Sequence, residues 1–212
     1  MVATTSRSDR RILRFDRGER VLHWANATIM LTLLVTGAGL YVPQLSEIFK
    51  RRHLVEQVHV WAGVMLPVPL VLTLLSGPWG RGLRADARRL NRWSPDDRRW
   101  LRTRGKDPRA RNGKFNAGQK LNAAFVAGAI PVMLATGLIM YFPNHFQLAW
   151  RTGATFVHDW MFLALAVIVV GHILFAVNDP VALRAMVRGW VPESWARRHA
   201  PRWLEEERPP RD

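Results

Sequence analysis

His158-Asp159-Trp160-Met161-Phe162-Leu163-Ala164-Leu165-Ala166-Val167-Ile168-Val169-Val170-Gly171-His172 is an apolar stretch closed at each end by a histidine. It lies inside a longer apolar run, 155–177, close to the ~20 residues that carry a helix across the hydrocarbon core of a bilayer. At 1.5 Å rise per residue, the two histidines stand about 21 Å apart along such a helix. Fourteen residues make two heptads, so both rings leave nearly the same face. Ionisable side chains at membrane depth are costly and mark function. One helix thus offers two polar ligands at two depths.

Three more apolar runs of similar length precede it, at about 21–42, 57–76 and 121–142. Pro67 and Pro69 interrupt the second, which a membrane helix tolerates with a kink where neighbours satisfy the freed carbonyls. Asp159 is the one carboxylate in the four runs. The pattern predicts an all-α integral membrane protein, a four-helix bundle occupying the 212 residues as a single membrane domain. Residues 1–20 are polar and arginine-rich without an apolar core, so they do not read as a cleavable export signal.

Charge orients the bundle. Lys and Arg number six in residues 1–20, thirteen in 78–114 and seven in 178–212, against three and one in the other two connections. The positive-inside rule then predicts a multi-pass membrane protein with both termini and the 78–114 loop in the cytoplasm. A net charge of +15 also suits nucleic acid, but the arginines border membrane-length runs and no folded soluble part of the size such a role needs is expected outside them. The middle loop reads as a solvated basic tether beside anionic headgroups. With no cysteine in the chain, iron–sulfur clusters and thiolate metal sites are excluded here.

His23 and His59 join His158 and His172 inside the runs. By depth, His59 and His158 share the outer level, and His23 and His172 the inner one. Two separated pairs without thiolate or carboxylate partners do not suit tetrahedral zinc. Haem iron, with one axial ligand on each face of the macrocycle, suits them well. Two b-type haems are expected, the outer ligated by His59 and His158 and the inner by His23 and His172. Gly37, fourteen residues after His23, lies at the outer level, where a missing side chain would admit a porphyrin edge. His53, His145 and His199 fall in polar connections or the tail and are not expected to be ligands.

A weak repeat runs through the chain. Thr36-Gly37-x-x-x-Tyr41-x-Pro43 closes the first run and Thr136-Gly137-x-x-x-Tyr141-x-Pro143 the third, 100 residues on. His59-x-Trp61 and His158-x-Trp160 open the second and fourth, 99 residues apart. Two helical hairpins in the same orientation would account for it.

Arg20-Val21-Leu22-His23-Trp24, His59, Gly113-Lys114-Phe115-Asn116-Ala117-Gly118-Gln119-Lys120, His158, His172 and the tail Trp195-Ala196-Arg197-Arg198-His199-Ala200-Pro201-Arg202-Trp203 together resemble the gamma subunit of membrane-bound respiratory formate dehydrogenase, a di-haem cytochrome b subunit. The resemblance covers most of the chain, and the 113–120 string is its most specific element. It implies a relay from an iron–sulfur subunit through the outer and then the inner haem to a quinone, menaquinone or ubiquinone. Formate would be oxidised on a separate molybdenum or tungsten subunit. It also implies a quinone site at Asn116, Gly118, Gln119 and Lys120, where amide and ammonium donors border an apolar slot. The plainer reading makes Asn116 a helix N-cap and Lys120 a headgroup anchor. A cytochrome b subunit of a hydrogenase or another quinone-linked dehydrogenase fits the histidines equally. A histidine-bearing transporter fits less well, because mid-depth carboxylates and interrupted helices are scarce.

Overall fold

The structure is a computed structural model and describes residues 10–42, 44–45 and 50–207; Pro43 of the repeat lies outside them. In chain order the elements are β1 (Arg11–Leu13), α1 (Arg17–Tyr41), α2 (Arg52–Met65), α3 (Val68–Leu75), α4 (Arg81–Asn91), α5 (Pro95–Thr103), α6 (Ala117–Tyr141), a 3-10 turn (Pro143–His145), α7 (Leu148–Asn178), α8 (Pro180–Arg188), β2 (Trp190–Pro192), α9 (Glu193–His199) and α10 (Pro201–Glu206). Four helical stretches are long and apolar enough to cross a membrane: α1, α2 with α3, α6 and α7.

These helices start before the apolar runs do, and capping explains two of the cases. Asp16 Oδ1 accepts the Glu19 N–H at 2.8 Å, while Glu19 Oε2 accepts the Asp16 N–H at 2.7 Å. Asn116 and Gln119 make the same reciprocal pair at the start of α6, at 2.9 and 3.0 Å. Each box satisfies two of the backbone donors that a helix start leaves orphaned. The α7 helix begins at Leu148, seven residues before the expected 155. Its 31 residues reach about 46 Å, so its ends stand outside the ~30 Å hydrocarbon core.

Pro67 divides the second span. Leu66 N–H still reaches the Ala62 carbonyl at 2.9 Å, and α3 restarts when Val71 N–H reaches the Pro67 carbonyl at 3.0 Å. Consecutive spans are the close neighbours, α1 with α2 and α6 with α7, while contact between the two hairpins is slighter. That leaves a slot between them.

The arginine-rich end is not a tether. β1 pairs antiparallel with β2, Ile12 opposite Val191, and Val191, Trp195, Ala196, Ala200, Trp203 and Leu204 form a buried core with Ile12 and Phe15 packed on it. Helices α4 and α5 fold the 78–114 loop against this core: Arg89 meets Glu207 at 3.1 Å, Arg202 donates to Ser94 Oγ at 2.9 Å, and Arg111 pairs with Glu205. The expectation of a solvated loop is therefore corrected. Its buried carboxylates Asp86 and Asp97 pair with the buried Lys114 and Lys120. The largest fully buried side chains among the described residues, Trp203 and Val191, belong to this cap rather than to the spans.

Candidate cofactor sites

The four intramembrane histidines meet in two pairs, each formed between the first and the second hairpin. At the end away from the cap, the His59 and His158 ring centroids are 6.3 Å apart, with an interplanar angle of 65°. At the capped end, His23 and His172 are 6.1 Å apart at 57°. We call these the distal and proximal pairs. An imidazole nitrogen ligates a metal from about 2 Å, so two rings on opposite faces of one iron put their centroids about 6 Å apart. Both pairs meet that spacing. Among the described residues, no three His, Asp or Glu side chains converge to hold a metal ion.

The distal pair faces a cavity of about 480 Å³ lined by Gly37, His59, Gly63, Gly137, His158 and Phe162, among other mostly apolar side chains. That volume is in the range of cofactor sites. The repeat is physically meaningful here. Thr36 Oγ lies 2.9 Å from His59 Nδ1, and Thr136 Oγ lies 2.9 Å from His158 Nδ1. A Cβ on Gly37 would stand 3.3 Å from His59 Cε1 and 3.3 Å from Phe162; one on Gly137 would stand 3.4 Å from His158 Cε1. Gly37, expected to admit a porphyrin edge, lines this cavity and has the His59 ring close to its backbone. Each Thr-Gly step on one helix thus holds the histidine of the next span.

The proximal pair is built differently. His172 comes from α7 and His23 from α1, beside the cap. Trp24 stands edge-on to His23 at 5.4 Å and donates its indole N–H to the Met186 carbonyl at 2.9 Å, fastening this end of α1 to α8. Asn26, one turn further along α1, carries a buried side-chain oxygen without a partner among the described residues.

The 113–120 string frames the cap–bundle junction. Asn116 and Gln119 spend their side-chain oxygens on the capping box. Gly118 lies under Trp100, whose ring a Cβ would meet at 2.8 Å. Lys120 is neither exposed to headgroups nor free: its ammonium donates to Asp97 Oδ2 at 2.8 Å and to the Arg92 carbonyl at 2.8 Å, with both charged side chains almost fully buried. Burial works against ionisation of Asp97, but hydrogen bonds from Lys120 and Ser94 outweigh it and hold the carboxyl below its ordinary range. Lys114 bridges Asp86 at 2.5 Å and Glu19 at 3.2 Å, also buried. Next to it, burial pushes the Arg14 guanidinium down to about 10 although Asp179 and Asp86 pull upward.

Sequence reasoning missed Asp86, Asp97 and the two threonines as site-building residues. Ser94-Pro95-x-Asp97 is a capping-box pattern that was available as a signal; the structure makes it a box, with Asp97 Oδ2 accepting the Ser94 N–H at 2.8 Å. The three remaining histidines stay outside the slot. His199 stacks on Trp195 at 4.7 Å, His53 meets Gln57, and His145 lies edge-on to Phe142.

Four membrane-length helices bringing histidines together in two pairs define a membrane haem protein of the cytochrome b class. The family model for prokaryotic cytochrome b561 matches residues 14–189, and the chain belongs to that family, which implies haem b. The chain is 28% identical over 213 residues to the "Formate dehydrogenase, cytochrome b556 subunit" of Haemophilus influenzae, covering 94% of this chain and 85% of that one. It is 29% identical over 209 residues to the "Formate dehydrogenase, cytochrome b556(fdo) subunit" of Escherichia coli K12, covering 93% of each. A second protein of that organism, the "Formate dehydrogenase, nitrate-inducible, cytochrome b556(Fdn) subunit", is 24% identical over 92% of this chain and 91% of its own length.

Proposed function

We propose that this chain is the membrane cytochrome b subunit of a respiratory formate dehydrogenase, linking an iron–sulfur subunit and a molybdenum or tungsten catalytic subunit outside to a quinone on the cytoplasmic side. The observation that carries the proposal is the pair of histidine couples spaced 6.1 and 6.3 Å, one above the other in a single slot. Relatives named as formate dehydrogenase subunits match almost the whole chain, and this supports the choice of formate. His59 and His158 would hold one haem b and His23 and His172 a second, and haem at both levels supplies one-electron redox chemistry across the bilayer.

The chain's own residues set the route around those groups. Mostly apolar side chains surround the distal pair, and buried ion pairs hold the cap together beside the proximal pair. The side-chain amide N–H groups of Asn116 and Gln119 remain as quinone hydrogen-bond donors once their oxygens have closed the box. Gly118 contributes a backbone N–H of the first helical turn, and Lys120 positions that turn through Asp97. The arginine excess of the capped end supports a cytoplasmic side for it and for both termini, in a bacterial inner membrane.

The test is addition of formate to membranes containing the chain with its partner subunits. Formate should reduce its haem b, and a quinone analogue that blocks reoxidation should keep it reduced. Reduction by hydrogen and not by formate would reassign the chain to a hydrogenase.

A further inference from the structure

The two threonines of the repeat have a chemical consequence for the distal pair. A hydroxyl has one proton to donate. Thr36 Oγ lies 2.6 Å from the Thr32 carbonyl, and Thr136 Oγ lies 2.7 Å from the Val132 carbonyl. A carbonyl oxygen only accepts, so each hydroxyl proton is engaged with its own helix. Towards the histidine, 2.9 Å away in both cases, each oxygen is then an acceptor. Nδ1 must carry the proton, and the Nε2 lone pair is left for a metal. The proximal histidines have no side-chain hydrogen bond of this kind among the described residues; their ring contacts are with one another and with Trp24.

We propose that Thr36 and Thr136 are paired positioning residues that fix the tautomer of both distal histidines and set the potential of the distal site below that of the proximal one. This rests on the reading of His59 and His158 as axial ligands. An acceptor on the far ring nitrogen raises the basicity of a ligating imidazole, and a more basic ligand favours the oxidised iron. Both axial ligands of the distal site receive this effect. With the distal site the harder to reduce, transfer from it towards the capped end runs downhill. The repeat therefore encodes direction as well as ligand placement.

The experiment is an optical redox titration of the purified, haem-loaded full chain and its Thr136→Val, Thr36→Val and double variants. Haem content is measured on the same samples. The lower-potential component should move to higher potential in each single variant, by a two- to tenfold change in the reduction equilibrium, tenfold being about 59 mV for one electron. The double variant should move it further, Thr136→Ser should restore it, and the other component should stay in place. Movement of the higher-potential component instead overturns the proposal. Full haem content with both components unmoved overturns the proposal while leaving the ligands intact, and so does equal movement of both. Should the valine variants lose the distal component, Thr136→Ala is titrated as well. Loss from Val and Ala with a normal Ser variant supports the hydroxyl's role, whereas loss from Ser too overturns it. The ligand reading fails separately, if His158→Ala keeps both haems.

Discussion

The distal site is assembled twice from one pattern, and the proximal site once from unrelated parts. At the distal level, α1 supplies Thr36 and Gly37 to the His59 of α2, and α6 supplies Thr136 and Gly137 to the His158 of α7. At the proximal level the repeat is broken. The position 100 residues after His23 is Ala123, and the one 99 residues before His172 is Thr73. His23 and His172 meet instead because the first and last spans converge at the cap, which ties down both through Trp24, Arg20 and α8. A duplicated hairpin makes a symmetric site from local contacts. An asymmetric site at the same spacing needs long-range packing, and here a folded cap provides it.

Removing the histidines one at a time should have the largest effect. His59→Ala and His158→Ala should each abolish the same spectral component, and His23→Ala and His172→Ala the other. Cofactor binding contributes to stability, so the informative readout is which variants share a residual spectrum, taken per mole of recovered protein. Shared loss between His23 and His59 variants would mean that the pairs are not those seen across the slot.

The cap comes next in expected effect. Asp97→Asn leaves the Lys120 ammonium buried without its counter-charge, which costs about 3–5 kcal/mol, and the loss should appear as a lower unfolding midpoint in detergent. The same carboxylate predicts a pH dependence. Its folded value is depressed, so its stabilisation is complete above the unfolded value of about 4 and is lost as pH falls through the folded value. Wild-type thermal stability should therefore drop across that acidic window, and the Asn variant should show a shallower drop. A proximal spectrum that shifts in the Asn variant while the distal one stays fixed would sharpen the link between cap and proximal site.

The smallest effect is expected at Asn116 and Gln119, the proposed quinone donors. Asn116→Leu and Gln119→Leu each delete one hydrogen bond to a neutral head group, about 0.5–1.5 kcal/mol, so quinone-analogue affinity should fall severalfold with haem content unchanged. Stopped-flow reoxidation by a short-chain quinone, normalised to haem, measures it. Lower stability with unaltered quinone kinetics would leave the pair with the capping role alone.

The parts of the molecule differ in how legible they were. Membrane spans are written in runs of twenty apolar residues, and depth followed from counting along them, so His59 could be set opposite His158 before any coordinates. The helix starts were less visible, because Asp16 and Asn116 extend α1 and α6 into polar sequence by capping. The cap was misread because its folding depends on partners far apart in the chain. Asp97 and Lys120 are 23 residues apart, Arg89 and Glu207 118. Counting arginines describes the charge of the 78–114 segment but not which of its carboxylates end up buried. Lys120 shows the cost of that blind spot: assigned to a quinone by its neighbours in sequence, it is committed to Asp97 by its neighbours in space.

Two haems are proposed for this bundle, each between the two rings of one histidine pair. A pyridine haemochrome assay on the purified chain, set against protein concentration from amino-acid analysis, tests this proposal most directly. Two protohaem groups per chain, both six-coordinate and low-spin when oxidised, are predicted. One haem per chain, or a high-spin ferric centre in the intact protein, would contradict it.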